Sequence, residues 1–482
     1  MTTLTTGVSQ RTYQRRWQAL SLLALAQFVV ILDATIVNIA LPAIGRGLHM
    51  QASELSWVID AYLLTFGGLL LLGGRAADLL GRRRVFLGGL LAFSAASLAD
   101  ALAPTGGALI AFRAIQGAGA AAMSPAALSI LTTLFPQGPE RARALGVWGA
   151  VAGSGSAAGV LLGGVLTQAF GWPAIFYINV PVGIVAAVLT PRLIPPLRPA
   201  EVTRARIDLP GAVLVTGGLA AVVYGLIQGS EAGWSSARTL VSLAVGAVLL
   251  ALFVVVEHRT ENPLVPLRIF ALRTVSSANT VMLLTGAAIV SLFFFLSLYM
   301  QQVLGYTPLK AGLTQLPLAV VLIAAAGAAP ALIAAIGRKV TLAAGLAVLA
   351  GGLAWFTQVP VAGTYAGSIL GPSLLVGIGL GLAFVPINAI AVSGVADGDT
   401  GLASGVINTS QQAGGALGLA IASAVATAQI AHLLPQAATA PDRLAALTSG
   451  YQMGFLASAA FASAAALVTL IAVPGGKDGE RA

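Results

Sequence analysis

The stretch Gly73-Gly74-Arg75-Ala76-Ala77-Asp78-Leu79-Leu80-Gly81-Arg82-Arg83-Arg84 joins two apolar runs, 55–74 and 85–103. It is a tight turn whose arginines belong on one side of a membrane. Its glycines allow close backbone approach, and Asp78 can accept hydrogen bonds from the N-terminus of a neighbouring helix. A basic loop that only sets topology explains the arginines, but not Gly74, Asp78 and Gly81 together. The set Gly74, Asp78, Gly81, Arg82 and Arg83 is therefore a candidate conformational switch.

Working outward, apolar runs fall at 18–41, 55–74, 85–103, 108–134, 145–168, 174–194, 209–228, 239–257, 274–302, 311–335, 341–358, 365–389, 402–428 and 450–473. Most reach the roughly 20 residues that a spanning helix needs. Of the 482 residues, 57% are hydrophobic and 9% charged. A soluble domain carries about 25% charged residues, so soluble and disordered classes are excluded. The long continuous runs exclude a transmembrane barrel. An all-α integral membrane protein with fourteen spans remains. Its start resembles a signal peptide, with Arg11, Arg15 and Arg16 before an apolar stretch. That stretch runs on to Pro42 without a convincing cleavage site and reads as a retained first span.

With the N-terminus inside, twenty of the 25 Lys and Arg fall in inner segments and four in outer ones, with Arg113 inside a run. This is a strong positive-inside bias and puts both termini in the cytoplasm. It also accounts for the net charge of +9 without nucleic acid. The longest inner connection, 195–208, separates six spans from eight. The expected division is 1–194, 195–273 with two spans, and 274–482. Gly337-Arg338-Lys339 after the tenth run echoes Gly81-Arg82-Arg83 after the second, an imperfect internal repeat. No cysteine occurs, and His49, His258 and His432 form no zinc pattern. Neither Lys310, Lys339 nor Lys477 sits in a phosphate-binding loop. No cofactor or metal is expected, and uphill transport would draw on an ion gradient or a separate subunit.

Asp33 lies in Leu32-Asp33-Ala34-Thr35-Ile36-Val37-Asn38-Ile39-Ala40-Leu41-Pro42, inside the first run. A carboxylate there costs roughly 2.5–3.5 kcal/mol and usually marks a transport pathway. Asp33 is a candidate proton carrier; the alternative is a structural acid satisfied by Thr35, Asn38 or backbone. Asp60, five residues into the second run, is either an interface acid or a second working acid. Arg113 enters the fourth run from outside and keeps its charge. It either pairs with Asp33, at a similar depth, or snorkels to the outer surface.

The fifth span carries Gly149, Gly153, Gly159, Gly163 and Gly164, spaced for close helix contact or for a hinge. Polar residues at membrane depth are Asn38, Gln116, Asn279, Gln315, Asn388, Asn408 and Gln411. They either line a wet substrate cavity or hold helices together.

As a set, these residues resemble the major facilitator superfamily, in its fourteen-span drug:proton antiporter branch, over about 17–473. The turn signature matches at Gly74, Asp78, Gly81, Arg82 and Arg83, and the span 4 signature at Arg113, Gln116, Gly117 and Gly119. The span 1 pattern matches from Asp33 to Pro42. Phe176 to Gly183, Asp208 to Gly211 and Gly401 to Gly418 look like further hallmarks. The span 5 signature departs at Val160, where the branch usually has proline. The resemblance implies two six-helix bundles with two extra central spans, and alternating access around a midplane cavity. It implies a multi-pass protein of the cytoplasmic membrane that works as a monomer, not an enzyme. The implied activity is proton-coupled efflux of a hydrophobic, neutral or cationic, drug or antibiotic, with Asp33, Asp60 and Arg113 in coupling. A dedicated metabolite exporter or a proton-coupled symporter of the same fold is the alternative.

Overall fold

A computed structural model describes residues 10–135, 138–195, 208–260, 263–396, 399–434 and 439–475. Among them, fourteen helical segments are long and apolar enough to cross a bilayer. The first five are α1 (Gln10–Leu48), α2 (Ala52–Leu80), α3 (Arg82–Ala101), α4 (Gly106–Leu134) and α5 (Pro139–Phe170). The sixth crossing is divided into α6 (Ala174–Tyr177) and α7 (Asn179–Leu193). Then come α8 (Leu209–Glu231), α9 (Ala237–Arg259), α10 (Arg273–Leu298), α11 (Pro308–Ile336), α12 (Arg338–Phe356), α13 (Gly371–Ala391), α14 (Thr400–Leu433) and α15 (Ala440–Ala472).

Several helices outrun their apolar stretches. α15 begins at Ala440, well before the run at 450, because Thr439 and Asp442 form a reciprocal N-terminal cap. Such a cap satisfies the orphan donors of a polar first turn. Residues 196–207, the core of the expected boundary loop, lie outside the described residues.

Helices α1–α7 form one bundle and α10–α15 a second, and glycine contacts show that the two repeat one packing scheme. Gly89 of α3 faces Gly119 of α4, and Gly345 of α12 faces Gly379 of α13. A Cβ on Gly119 would stand 2.6 Å from the Phe93 nitrogen, and one on Gly379 2.5 Å from the Leu349 nitrogen. The turns preceding α3 and α12 also match, with φ of 98° at Gly81 and 84° at Gly337. Only glycine enters that region without strain. The faint sequence repeat is thus a structural repeat of α2–α4 in α11–α13. Within the first turn the tight glycine is Gly73, packed on the Ala121 carbonyl, whereas a Cβ on Gly74 would meet nothing nearer than Pro125 at 3.7 Å.

Of the extra pair, α8 packs on α2 and α14 at one seam between the bundles, and α9 packs on α8. Thr216 of α8 fits against Gly68, and the Tyr224 ring lies 6.4 Å from Trp57. We call the end with the Gly81 and Gly337 turns the basic end and the opposite one the far end. At the far end the seam is closed. Ser297 Oγ of α10 donates to the Asn38 carbonyl at 2.5 Å, and Gln301 Nε2 to that of Ile39 at 2.9 Å.

The glycines of α5 sort by face. Gly155, Gly159 and Gly163, each four residues apart, rest on Ile31, Thr35 and Ile36 of α1. Gly153 and Gly164 face α11 of the other bundle, at Ile323 and Pro308. Along this antiparallel seam the register sets Gly149 opposite Gly327. A Cβ on either would find no atom within 4 Å. The glycine contacts between the two helices thus run from the far end to Gly153 and stop there, short of the basic end. α5 is one unbroken helix through Val160, whose carbonyl lies 2.6 Å from where a Gly312 Cβ would stand.

Candidate functional site

Asp33 sits just past the middle of α1 and is fully buried, as is Arg113 at 1% exposure. Arg113 Nη1 donates to Asp33 Oδ2 at 2.6 Å. The second oxygen, Oδ1, accepts from Gln116 Nε2 and from Asn179 Nδ2, each at 2.9 Å. Gln116 lies one turn after Arg113 on α4, so both reach the same carboxylate. Its side-chain carbonyl accepts from Arg113 as well. Arg113 Nε donates to the Val58 carbonyl at 3.1 Å, and the guanidinium lies 4.3 Å from the Tyr62 ring and 5.8 Å from that of Phe176. Five helices therefore converge on one ion pair.

Between the two expectations for Arg113, the pair with Asp33 is present and snorkelling is not. Neither Thr35 nor Asn38 holds Asp33. Thr35 Oγ1 donates to the carbonyls of Ile31 and Leu32, and Asn38 Nδ2 to that of Ala34. At 100° per residue, Thr35 stands about 200° from Asp33 around the helix, turned toward α5.

Asp60 is fully buried and neither carboxylate oxygen has a partner. It does not join the Asp33 cluster. Val58 and Tyr62 define the face of α2 that meets Arg113, and Asp60 lies between them in sequence, on the opposite side. It shares its face with Gly67 and Leu71, which meet Gln412 and Gly405 of α14. Asp60 thus belongs to the seam between bundles, on the side of α2 turned away from the Asp33–Arg113 pair.

Asp78 bonds to Arg82 Nη2 at 3.5 Å and stays partly exposed, not seated on the start of α14. Arg82 also donates to Thr133 Oγ1, and Arg83 Nη1 to the Ile194 carbonyl at 3.1 Å. The turn is thereby tied to the basic ends of α4 and α7. The residue preceding α14, Asp399, pairs instead with Arg268 at 3.5 Å.

The polar residues separate into two kinds. Gln116, Asn279 and Gln315 are buried. Asn279 accepts from Ser410 Oγ at 2.8 Å, joining α10 to α14, and Gln315 Nε2 donates to the Ala311 carbonyl at 3.4 Å. Asn388 and Asn408 are exposed in the basic half of the second bundle, and their amides donate at 2.8 Å to Phe384 and Ser404 of their own helices. Gln411 is partly buried, with its carbonyl packed against Gly286.

Sequence reading did not single out three members of the cluster. Asn179 opens α7, and Ser97 of α3 accepts from it at 3.0 Å while donating to the Phe176 carbonyl at 2.9 Å. Asp100, one turn beyond Ser97, is fully buried with both oxygens unpartnered. Arg113 and Asp33 are its electrostatic neighbours. An acid in the last turn of an apolar run and an amide inside another were the available signals.

The sequence profile of the Major Facilitator Superfamily matches residues 23–419. The chain is 45% identical over 405 residues to the cephamycin export protein of Amycolatopsis lactamdurans, covering 84% of this chain and 83% of that one. It is 40% identical over 461 residues to the puromycin resistance protein of Streptomyces alboniger, covering 95% and 90%. Among solved structures, a bacterial homologue of the human lysosomal transporter Spinster, inward-facing and unoccupied, superposes with a TM-score of 0.68 at 17% identity, covering 95% and 97%.

Proposed function

The chain belongs to the Major Facilitator Superfamily, a family of transporters rather than enzymes, and from that premise we propose that it exports hydrophobic antibiotics or drugs in exchange for protons. It is a multi-pass membrane protein that handles a small molecule. In the proposal the basic end faces the cytoplasm, both termini lie there, and one chain suffices. The division at 1–194, 195–273 and 274–482 is part of the same proposal.

The observation that carries the reading is the buried Asp33–Arg113 pair with Gln116 and Asn179. Three donors on one carboxylate hold it as an anion in this state. A proton on Asp33 removes the charge that Arg113 neutralises, and an unpaired buried charge is costly. Protonation therefore forces the cluster to rearrange, and the cluster spans five of the helices that move as one bundle. A cleft between α5 and α11 admits substrate from the cytoplasm, with Asn388, Asn408 and Gln411 as polar lining. Closing α5 on α11 beyond Gly153, where Gly149 and Gly327 leave room, and opening the far end delivers substrate outside.

Asp60 acts at the second seam. Its carboxyl lies in the face that α2 presents to α14, so its protonation is coupled to the parting of the two bundles. Asp78 and the Gly74–Arg83 turn serve the opposite closure, when the start of α14 returns to the turn.

The named relatives support export. They also favour a narrower second reading, a dedicated exporter of one metabolite, since each is named for a single antibiotic. A panel of antibiotics against cells with and without the protein, repeated with an uncoupler, tests both. Resistance that the uncoupler abolishes supports proton antiport, and its breadth separates the two. Accumulation rather than extrusion would identify a symporter and reject the proposal.

A further inference from the structure

Asp100 occupies the last turn of α3, toward the far end from the Asp33–Arg113 pair. It shares a face with Ser97, whose hydroxyl joins Asn179 and through it Asp33. No part of Asp100 reaches the surface, and no donor reaches either oxygen. The groups facing it are few. The charged groups acting on it are Arg113 of α4 and Asp33 of α1; the Tyr62 and Phe176 rings of α2 and α6 lie on the Arg113 guanidinium, and Asn179 of α7 bonds to Ser97. One guanidinium thus stands among two carboxyl groups. It already has a carboxylate partner in Asp33 at 2.6 Å. A second carboxylate without donors would be an uncompensated buried charge, so Asp100 holds a proton in this state.

We propose that Asp100 is the acid through which protons from the far end enter the coupling cluster, with Arg113 trading Asp33 for Asp100 as its partner. In the arrangement described, Asp33 is the anion and Asp100 is neutral. In the other, Asp33 has gained a proton, Asp100 has lost one, and Arg113 pairs with Asp100. The proton is handed over by water admitted as the guanidinium moves. Net charge in the trio stays at zero throughout, so the exchange avoids burying an unpaired ion. Water reaching the outer end of α3 reprotonates Asp100 as Asp33 gives up its proton toward the basic end and takes Arg113 back, which returns the trio to its first arrangement with no change of net charge. The inference rests on the proton-coupled reading proposed above, and it adds a residue that lies outside the turn, span 1 and span 4 signatures.

The test uses the full-length protein in lipid. Infrared difference spectra of the parent minus Asp100→Asn should contain the C=O stretch of a buried protonated carboxyl. The same subtraction in an Asp33→Asn background should lack it, because Arg113 then pairs with an ionised Asp100. A band that persists in that background, or no band in the parent, overturns the exchange. The second measurement is puromycin extrusion from vesicles, driven by a pH gradient and also run as gradient-free exchange. Asp100→Asn mimics the neutral acid in shape. It should keep exchange and lose about a hundredfold of driven transport, the scale of a missing proton-transfer group. Asp100→Glu should restore most of it. Equal loss of both modes, or an unchanged pH profile, assigns Asp100 a structural role and overturns the proposal. A parent without gradient-driven transport sinks the coupling reading, and the infrared result separates that failure from failure of the charge exchange.

Discussion

The two bundles share a backbone scheme and differ in their electrostatics. Gly117 and Gly119 of α4 pack on α2 and α3, and Gly377 and Gly379 of α13 pack on α11 and α12 in the same way. Counting back from those glycines, Arg113 corresponds to Ser373 and Gln116 to Val376. Among the described residues, every buried charged side chain lies in the first bundle or in the α8–α9 insert: Arg16, Asp33, Asp60, Asp100, Arg113, Asp208 and Glu257. The second bundle has none. The same helix packing therefore does not require charge, and charge kept at a cost in one copy points to work done there. In the proposed cycle, proton handling therefore falls to the first bundle, and the second closes against it and shapes the cleft.

The hardest way to break this contrast is to remove the acid. Asp33→Asn should abolish uncoupler-sensitive efflux, whereas Ser373→Ala at the matching place should leave it near the parent rate. Because Arg113 can then pair with Asp100, Asp33→Asn alone should lower the melting temperature of purified protein little, whereas Asp33→Asn with Asp100→Asn leaves Arg113 without an anion and should cost roughly 3–5 kcal/mol. Parent-like efflux from Asp33→Asn would remove the first bundle's claim.

The converse change moves the charge across. Ser373→Arg puts a guanidinium at a buried position with no facing acid. Its insertion cost of about 2.5–3.5 kcal/mol should sharply reduce the amount of protein recovered from membranes. Normal accumulation would mean that the second bundle can hold a charge after all.

Packing changes should ignore the contrast. Gly119→Ala and Gly379→Ala both drive a methyl into neighbouring backbone and should cost similar stability, about 1–3 kcal/mol each. A large inequality would show that the repeat is looser than the glycine contacts suggest. Gly149→Ala should behave oppositely, because its Cβ meets open space. It should stabilise the cleft-open state by roughly 0.5–1 kcal/mol through helix propensity. In the proposed cycle it should slow turnover, since Gly149 must approach Gly327 on closure.

The smallest effect belongs to the turn. Asp78 makes one partly exposed contact with Arg82 here, worth less than about 1 kcal/mol. Asp78→Asn should leave the melting temperature almost unchanged. It should still favour the cleft-open state and slow turnover, by losing the contact with α14 in the closed state. Distances between cysteine pairs across α2 and α14 that match the parent would contradict this.

Composition and pattern alone were enough for the class, the number of crossings, their order and the family. Fourteen apolar runs of bilayer length leave the chain no other way to satisfy its backbone, because an apolar span must close its hydrogen bonds within one helix. The signatures at Gly74–Arg83 and Arg113–Gly119 supplied the family, and depth arithmetic along single helices paired Asp33 with Arg113. Helix ends were less legible, since a capped polar turn such as Thr439–Asp442 continues a helix outside the hydrocarbon.

Tertiary structure decided which face each residue presents and which helix stands opposite. Asp33 and Asp60 look equivalent along the chain, yet one is held by three donors and the other turns toward α14. Gly155, Gly159 and Gly163 serve α1 while Gly153 and Gly164 serve the other bundle, a division invisible in their spacing. Asn279 and Gln315 were as plausible for a cavity as Asn388 and Asn408, and only burial separates them. Asp100 and Asn179 entered the cluster because α3 packs on α4 and α7, and α7 packs on α1. Hydrophobic sequence makes a helix stay in the membrane but does not set its rotation. That angle follows from interlocking small residues and buried polar partners contributed by other helices, distant in the chain.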